Sequence, residues 1–466
     1  MSNIFKAYDV RGVYPEEINK ENAYKIGFAT VKFLLAKSNG KKLNLIIGED
    51  CRIASPTLRG AVIDAITKAG ANVSYIGLCT TPLFYFSVNQ LKADGGIMVT
   101  SSHNPPQYGG LKIVGTGSSS IAQNTGLLEV QRLAEESIEI TRSAGTVEEI
   151  NLVPDYIDFV IQKSGVSPPK LKKVKLVIDA GNGMKPIVLK PLFEKLGVSY
   201  MPLYFEVDCN FPNHSPDITK EGALEGLRKK IIEQKADIGI AFDGDGDRII
   251  FMDENGIKID SGCIFGLLFN DKSRFFSKPR TVYDLRFSRS VKELVGKSGI
   301  KSRVGYVFIK ELMDTHSCDL GGELSGHFFF KETNYTESSS LVMLKILKIL
   351  SENDRKISEL IKPFQKYYYS GEINTELGDT SIQSSNEESK KKAVTIMNRI
   401  KEEYKDGKID ELDGVTIDLW DKDKFWFNVR PSNSEPVLRL VVEAKTKELM
   451  DQKVKELTQV IKNAPQ

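Results

Sequence analysis

Short apolar runs alternate along the chain with segments of helical periodicity. The run in KLNLIIGED precedes SPTLRGAVIDAITKAG, in which Ser55 can cap a helix and Pro56 can occupy its first turn. Similar pairs of strand and helix patterns recur over most of the sequence. We therefore predict α/β architecture.

A strand pattern that ends in an aspartate and a polar turn occurs three times. The three copies end at Asp50, Asp179 and Asp284. Each copy has a partner farther along, where an aspartate and small residues lead into an apolar stretch and a polar loop. The partners lie around Asp94, Asp237 and Asp319. One such turn is common in α/β proteins, but three in matching order predict three related α/β units.

The texture of the sequence changes after Tyr369. A polar, Gly/Ser-rich stretch follows, and then the patterns of a helix, strands and a final helix. This predicts a linker and a smaller α+β domain from about residue 370. At 466 residues the chain is also too long for a single core. We divide it into domains at 1–148, 149–254, 255–367 and 368–466.

Composition and charge narrow the possible partners. The chain is 41% hydrophobic and 27% charged, with a formal net charge of +2, which gives no overall attraction to nucleic acid or lipid. The first residues lack the apolar core of a signal peptide, and no run of 18 apolar residues is present. We predict a cytoplasmic protein with neither a nucleic-acid nor a membrane partner. No CxxC pair occurs, so reduced thiols are expected at Cys51, Cys79, Cys209, Cys263 and Cys318.

The strongest chemical signal is IGIAFDGDGDRIIFMD. A strand pattern leads to Asp243, Asp245 and Asp247, and the glycines between them allow a turn tight enough for the three carboxylates to converge. Oxygen ligands in that number suit Mg²⁺. A calcium loop would have a glycine at its sixth position, where this sequence has Arg248.

A second signal is VTSSHNPPQYGGLKIVG, which places Ser102 beside His103. The chain has no GxSxG motif for acyl transfer, and taken alone the stretch fits an Asn-Pro turn. Considered together with the three aspartates, the stretch around Ser102 suggests a second hypothesis. A phosphate on Ser102 could complete the ligands of a Mg²⁺ ion that stabilises phosphoryl transfer.

Two further polar loops fit a sugar phosphate. GGELSGHFFFK carries Glu323 and Ser325 two positions apart, which suits sugar hydroxyls, although a solvated turn explains it equally. VRPSNSEPVLRL offers donors for a phosphate, or else forms a polar turn before a strand. Its donors are Arg430, Ser432, Asn433 and Ser434.

The four loops, from FKAYDVRG to RPSNSEP, resemble those of the α-D-phosphohexomutase family over nearly the whole chain and in the same order. Within the family the sequence is most similar to the bacterial-type phosphomannomutases/phosphoglucomutases. The resemblance implies three related α/β units with mixed sheets and a smaller C-terminal α+β domain around a central cleft, with one loop from each domain. It also implies that Ser102 is the phosphorylated residue and that the aspartates bind Mg²⁺.

The resemblance further implies a reaction. Phosphoserine 102 would donate its phosphoryl group to a hexose 1- or 6-phosphate, and the hexose 1,6-bisphosphate would turn around and return its other phosphate. Arg11, Lys112 and Arg248 match the family positions that stabilise charge, and Lys112 is the expected proton acceptor if crowding by the arginines lowers its pKa. His103 and His327 complete the expected catalytic set. The expected substrate ligands are Tyr8, Glu323, Ser325, Arg286, Arg430, Ser432, Asn433 and Ser434.

Three positions depart from the family pattern. Glu337 to Ser340, ESSS, stand where many members have an acidic pair and a glycine; Arg286 stands where lysine is frequent; and Tyr306 stands where some members have histidine. These departures bear on the sugar preference rather than on the reaction class.

Several alternatives stay open. Asn433 favours mannose and glucose mutases over phosphoglucosamine mutases, which remain the nearest alternative. A strand followed by DxDG also describes phosphatases with an aspartyl nucleophile, here Asp243, with Asp245 as the acid. A sugar-phosphate sensor without turnover is a third hypothesis. We expect a small sugar phosphate as the partner, and a monomer or weak dimer.

Overall fold

The computed structural model describes residues 2–38, 41–136, 144–271, 279–377, 386–432 and 437–462. Within these residues the strands form four sheets, one for each of three successive α/β units and one for a C-terminal α+β domain. The predicted fold class is therefore confirmed. None of the helices in the described segments is long and apolar enough to span a membrane.

The first unit carries the Ser102 loop. Its sheet has the order β1-β5-β4-β2-β3-β6, with β5 antiparallel to both β1 and β4. The strands are β1 (Val10–Val13), β2 (Asn44–Glu49), β3 (Asn72–Leu78), β4 (Gly95–Val99), β5 (Tyr108–Gly115) and β6 (Val147–Glu149). The helices are α1 (Lys20–Leu35), α2 (Ser55–Lys68), α3 (Thr81–Gln90) and α4 (Leu127–Ala134).

The predicted cap of α2 is wrong in one detail. Pro56 does lie in the first turn, but Ala54 is the N-cap residue and Ser55 is already helical. The hydroxyl of Ser55 donates to Asp50 instead of capping the helix. Ser55 cannot cap α2 because it already lies within the first turn, and its hydroxyl instead makes a charge-assisted hydrogen bond to a buried carboxylate.

The second unit carries the aspartate loop between β9 and β10. Its sheet has the order β11-β10-β9-β7-β8. The strands are β7 (Leu176–Asp179), β8 (Met201–Leu203), β9 (Ile238–Phe242), β10 (Ile249–Met252) and β11 (Lys258–Ile259). The helices are α5 (Val153–Ser164), α6 (Pro168–Leu171), α7 (Pro186–Leu196) and α8 (Glu225–Gln234).

The third unit carries the Glu323 loop between β14 and β15. Its sheet has the order β13-β12-β14-β15 and is mixed, because β15 is antiparallel to β14. The strands are β12 (Thr281–Asp284), β13 (Gly299–Ser302), β14 (Leu320–Gly322) and β15 (Phe328–Phe330). The helices are α9 (Ser261–Asn270), α10 (Arg289–Val295), α11 (Tyr306–Thr315), α12 (Ser339–Ser351) and α13 (Ile357–Ile361).

The C-terminal domain has an antiparallel sheet in the order β16-β20-β19-β18-β17. The strands are β16 (Tyr368–Glu376), β17 (Lys408–Asp410), β18 (Val415–Asp418), β19 (Phe425–Pro431) and β20 (Val437–Ala444), and the helices are α14 (Asn386–Glu403), α15 (Trp420–Asp423) and α16 (Lys447–Lys462). The predicted linker from about residue 370 is wrong in its first part, where β16 pairs with β20. Backbone pairing along β20 overrides the low strand propensity of the glycine and serine there.

The apolar cores separate the C-terminal domain from the rest. One continuous core runs through the first three units and contains Tyr85, Phe193 and Phe287, for example. The C-terminal sheet packs on a core of its own around Ile396 and Phe427. The three α/β units are thus joined by apolar packing.

A disulfide links Cys51 of the first unit to Cys209 of the second, with their Cα atoms 5.5 Å apart. The expectation of five reduced thiols is therefore wrong for these two residues. Their separation of 158 positions forms no sequence motif, and only folding brings them together. Cys79, Cys263 and Cys318 are buried free thiols, as expected.

Candidate active site

The Ser102 loop begins where β4 ends. Ser102 is 2% exposed and has a left-handed backbone with φ of 49°. Its amide donates to Thr100 Oγ1 at 3.0 Å, and its own Oγ lies 3.2 Å from His103 Nδ1. The same Oγ lies 3.5 Å from Asp243 Oδ2, so the structure brings together two residues that are 141 positions apart.

The three aspartates form a compact cluster of ligand atoms. Asp243, Asp245 and Asp247 are buried, and one oxygen from each lies within 4.8 Å of those of the others. Gly246 makes the turn possible with its φ of 73°. Asp245 Oδ1 has no hydrogen-bond partner among the described residues. A divalent cation that prefers oxygen fits this donor set, because it would supply the partner that the buried carboxylate lacks.

Lys112 lies between two of these carboxylates. Its Nζ is 2.8 Å from Asp245 Oδ2 and 2.6 Å from Asp247 Oδ2. Burial works to lower the pKa of Lys112, but the two carboxylates outweigh burial and raise this pKa well above its ordinary value. The expectation that neighbouring arginines would lower this pKa is therefore wrong. Arg11 does act in that direction, but it is weaker than the direct ion pairs.

The predicted arginines lie on either side of the Ser102 loop. Arg11 pairs with Asp9 at 2.7 Å and donates to Asn104 Oδ1 at 2.6 Å. The backbone amide of Arg248 donates to Asp243 Oδ1 at 3.0 Å, and its guanidinium lies 3.9 Å from the same carboxylate. Both arginines therefore contribute positive charge beside the serine.

The two predicted catalytic histidines are in opposite protonation states. Removal from water, followed by the charges of Arg248 and Arg11, holds the pKa of His103 well below its ordinary value. A neutral His103 can accept the Ser102 hydroxyl proton. Burial also acts to lower the pKa of His327, but Asp247 and Glu323 outweigh it and raise this pKa to about 10.

His327 connects the third loop to the second. Its Nε2 lies 3.2 Å from Asp247 Oδ1, and its Nδ1 lies 3.2 Å from Glu323 Oε2 and 2.9 Å from Ser325 Oγ. The pKa of Glu323 falls to about 2 because His327 outweighs the effect of burial. Glu323 and Ser325 thus face the same point, as the sequence predicts, and the histidine two residues on holds both.

Arg286 and Arg430 meet at a carboxylate that sequence analysis missed. Glu372 Oε2 accepts from Arg286 Nη1 at 2.6 Å and from Arg430 Nη2 at 3.0 Å, while Oε1 accepts from Arg439 Nη1 at 2.8 Å. Burial works to raise the pKa of Glu372, but the three guanidinium groups bring it to about 2. No signal in the sequence singles out Glu372, which is one of several acidic residues in the stretch interpreted as a linker.

The remaining predicted residues are partly placed. Tyr8 donates to the Val304 carbonyl at 3.4 Å and packs edge-on against Tyr306, so it joins the first and third units. Ser432 follows Arg430 at the end of β19 and its amide donates to Val437. Asn433 and Ser434 lie outside the described residues.

The residues of the ESSS stretch, Glu337 to Ser340, contact the aspartate loop. Ser339 Oγ donates to the Gly246 carbonyl at 2.6 Å. The buried Lys185 donates to Ser339 Oγ at 2.9 Å and to Ser340 Oγ at 2.7 Å. Glu337 lies close to Asp247 and His327. These residues therefore help to hold the loop between β9 and β10.

Comparison with known proteins agrees with this arrangement. Family models described as phosphoglucomutase/phosphomannomutase α/β/α domains I, II and III match residues 2–138, 154–256 and 264–367. The model of the C-terminal domain of the same family matches residues 382–460.

Relatives match over almost the full length. The phosphomannomutase of Methanocaldococcus jannaschii is 36% identical over 465 residues, covering 98% of this chain and 97% of that protein. The phosphomannomutase/phosphoglucomutase of Pseudomonas aeruginosa is 33% identical over 456 residues, covering 97% of this chain and 93% of that protein.

Two solved structures are similar in fold. A phosphoglucomutase/phosphomannomutase family protein from Burkholderia thailandensis has a TM-score of 0.85 and 26% identity, with 100% of this chain and 98% of that one covered. An Aspergillus fumigatus N-acetylphosphoglucosamine mutase, solved with GlcNAc-6P and magnesium, has a TM-score of 0.63 and 13% identity, with 99% and 96% covered. The chain belongs to the phosphoglucomutase/phosphomannomutase family.

Proposed function

We propose that this phosphohexomutase interconverts hexose 1-phosphate and hexose 6-phosphate, with mannose, glucose or both as the sugar, through a phosphorylated Ser102 and a hexose 1,6-bisphosphate. The observation that carries the proposal is the approach of Ser102 Oγ to Asp243. Three buried carboxylates so close to this hydroxyl would repel a negatively charged phosphoryl group unless a cation compensates for their charge. The Ser102 hydroxyl is well placed for phosphoryl transfer if a cation is held by the carboxylates beside it.

The resident cation is proposed to be Mg²⁺, held by Asp243, Asp245, Asp247 and an oxygen of phosphoserine 102. When bound, it would neutralise charge on the phosphoryl group and on the serine oxygen. The unpartnered Asp245 Oδ1 and the raised pKa of Asp243, caused by burial and the neighbouring acids, both support a missing positive charge at this place.

The chain's own residues orient the serine and stabilise charge. His103, held neutral, is placed to accept the Ser102 hydroxyl proton when the serine takes a phosphoryl group and to return it when the group leaves. Arg11 and Arg248 stabilise negative charge on the transferring oxygens. We assign Lys112 the same charge-stabilising role, since its carboxylate partners favour the ammonium form.

The sugar phosphate is proposed to lie between the third and fourth loops. Glu323 and Ser325 accept and donate hydrogen bonds to sugar hydroxyls, and Tyr8 borders this region from the first unit. Phosphate donors are proposed at Arg286, Arg430, Ser432, Asn433 and Ser434. The bisphosphate must bind in two orientations, so these residues recognise features that its two ends share.

We also infer the setting in which the enzyme works. Sugar phosphates are multiply charged and do not cross lipid unaided, so a cytoplasmic location suits an enzyme that consumes them. With a net charge of only +2, neither nucleic acid nor a membrane surface is proposed as a partner. A monomer or weak dimer is proposed as the solution state.

The central test replaces Ser102 by alanine. We expect Ser102→Ala to fold and to bind hexose phosphate, while its turnover falls by orders of magnitude because no phosphoryl acceptor remains. Ser101→Ala is the matched control, since the hydroxyl of Ser101 is buried without a hydrogen-bond partner in the described structure. Wild-type turnover in Ser102→Ala would refute the proposal.

Two further measurements distinguish the alternatives. A labelled phosphoenzyme that survives hydroxylamine supports phosphoserine, whereas a labile label that is lost in Asp243→Asn would identify an aspartyl phosphatase. Turnover compared on mannose, glucose and glucosamine 1-phosphates decides between the mannose/glucose mutase proposed here and a phosphoglucosamine mutase.

A further inference from the structure

Arg52 lies behind the Ser102 loop and is 1% exposed. All five of its guanidinium N–H groups have a hydrogen-bond acceptor. Nη2 donates to the Ser102 and Asn104 carbonyls at 2.8 and 2.6 Å, and Nη1 donates to those of Pro105 and Tyr108 at 2.7 and 3.3 Å. Nε donates to Asp50 Oδ2 at 3.1 Å. One side chain therefore fixes three carbonyls of the loop and the first carbonyl of β5.

The loop needs such support because Ser102 has a left-handed backbone. For a residue with a Cβ atom this conformation costs roughly 1–2 kcal/mol. The Ser102 carbonyl is held by Arg52 on one side, and on the other it lies so close to Gly244 that a Cβ at Gly244 would be 2.6 Å away. With its amide bonded to Thr100, the peptide units on both sides of Ser102 are fixed. In this conformation its Oγ faces Asp243.

Arg52 is itself anchored to the scaffold. It follows β2 by three positions, and Asp50, at the end of that strand, accepts from its amide and from its Nε. Asp50 also accepts from Ser55 in the first turn of α2. The guanidinium therefore transmits the position of the sheet and of α2 to the serine loop.

The second unit covers this guanidinium. The ring of Phe211 lies 5.3 Å from Arg52 Cζ. The disulfide from Cys51 to Cys209 ties the segment that carries Phe211 to the residue next to Arg52. A cation over an aromatic face is stabilised further where water is excluded.

We propose that Arg52 is a positioning residue for phosphoryl transfer, which holds Ser102 in the left-handed conformation that directs its Oγ to the three aspartates. The ring of Phe211 covers the guanidinium and helps to keep it in place. The proposal rests on the proposed function of Ser102. Arg52 contacts the main chain of the loop and not the Ser102 hydroxyl, so it acts through the serine and not on the substrate. Lysine cannot replace it, because its ammonium group has three donors on one nitrogen and cannot reach all five acceptors that the planar guanidinium serves.

The first experiment compares Arg52→Lys and Arg52→Ala with wild type in kcat and KM for a hexose 1-phosphate, with the melting temperature measured alongside. If Ser102 is displaced, phosphoryl transfer slows, while the residues proposed to bind the sugar phosphate are unchanged. We expect kcat to fall on the order of 100-fold while KM changes little. Arg59→Ala is the matched control, because Arg59 is a nearby arginine, within α2, that pairs with Glu49, away from the loop. A folded Arg52→Lys with wild-type kcat would overturn the proposal.

The second experiment is chemical rescue. Guanidinium at concentrations far below denaturing ones should restore part of the kcat of Arg52→Ala, whereas urea, which is planar but uncharged, should not. No recovery with guanidinium in a folded Arg52→Ala would count against the proposal. Should neither Arg52 variant fold, Phe211→Leu decides, since it removes the aromatic face but keeps apolar bulk. A lower kcat at unchanged KM supports the proposed role of Phe211 and Arg52, and an unchanged kcat overturns the proposal.

Failure of this inference can be distinguished from failure of the proposed function. If the proposed function is wrong, wild type and Arg59→Ala will carry no phosphoserine after incubation with hexose 1,6-bisphosphate. If only the inference is wrong, wild type, Arg59→Ala and Arg52→Lys will all be phosphorylated at the same rate.

Discussion

Asp243 is buried beside two other carboxylates, and burial together with Asp247 and Asp245 raises its pKa well above the ordinary value. Because the folded-state pKa exceeds the unfolded one, this group costs the metal-free protein stability once the pH rises above the unfolded pKa. At the scale of single side chains, the cluster is built for a cation and not for stability.

This arrangement leads to a prediction for Asp243→Asn. The side-chain amide keeps an oxygen that can accept from the Arg248 N–H, but it removes the negative charge that Asp245 and Asp247 repel. We expect the variant to be more stable than wild type in the presence of a chelator and to lose the stabilisation that Mg²⁺ gives wild type. Calorimetric melting with chelator and with excess Mg²⁺ measures both effects. Asp217→Asn, which removes a carboxylate outside the cluster, should keep the Mg²⁺ effect; equal Mg²⁺ shifts in Asp243→Asn and wild type would contradict the assignment.

Single residues also show what the sequence could and could not predict. Ser102 and the aspartates were predictable because each carries its own local motif and strand. Arg52 was not, since its acceptors are main-chain carbonyls, which any sequence supplies. The direction of the Lys112 pKa shift was predicted wrongly, because distances below 3 Å to two carboxylates decide it and the sequence contains no distances.

At the scale of elements, the Cys51–Cys209 disulfide joins the turn after β2 to the loop after β8. It closes a loop of 158 positions, which restricts the unfolded chain strongly. The chain-entropy treatment gives roughly 5 kcal/mol for a loop of this length, as an upper value. The link thus stabilises the contact between the first and second units, where the serine meets the aspartates.

We predict that Cys51→Ser and Cys209→Ser each lower the free energy of unfolding by several kcal/mol, up to roughly 5. The double variant should lose no more than either single one, because both remove the same bond. Denaturant unfolding of the three variants gives the comparison, and reductant should shift wild type to the value of the variants. Additive losses in the double variant would show that the thiols act separately.

Elements also explain the ESSS departure. Its serines lie at the start of α12, where Ser338 caps the helix and Ser339 reaches the aspartate loop. An acidic pair at these positions would add negative charge beside three buried carboxylates. The sequence reveals the departure but not its partner, because Lys185 lies in a different unit, 154 positions away from Ser339.

At the scale of the whole molecule, the contacts between domains are of two kinds. The three α/β units share a continuous apolar core, whereas the C-terminal domain has a core of its own and meets the third unit through a small aromatic cluster and through charged and polar pairs. Examples are Arg286 with Glu372, Arg289 with Asp418, and Ser288 with Glu443. Domain order and fold class were predictable from the repeated patterns. These interdomain pairs were not, since nothing local connects their members.

Glu372 is the centre of that interface, and its charge gives the interface a pH dependence. Its pKa of about 2 lies below that of a free glutamate, because Arg286, Arg430 and Arg439 outweigh the effect of burial. For an acid with a lowered folded-state pKa, the stabilisation is complete above the unfolded pKa and is lost as the pH falls through the folded one. The contribution should therefore disappear between about pH 4 and pH 2, and above that window it amounts to roughly 3 kcal/mol.

We predict that Glu372→Gln lowers the stability at pH 7 by about this amount or more, since it also removes the anion that Arg286, Arg430 and Arg439 share. The difference from wild type should shrink as the pH approaches 2. Urea unfolding across this range measures it, with Glu376→Gln, an exposed acid on the same strand, as the control. The loss of this shared carboxylate should also make inorganic phosphate stabilise Glu372→Gln more than wild type, because a phosphate can take its place. A pH-independent difference and an unchanged phosphate effect would mean that Glu372 does not hold the arginines of the two domains together.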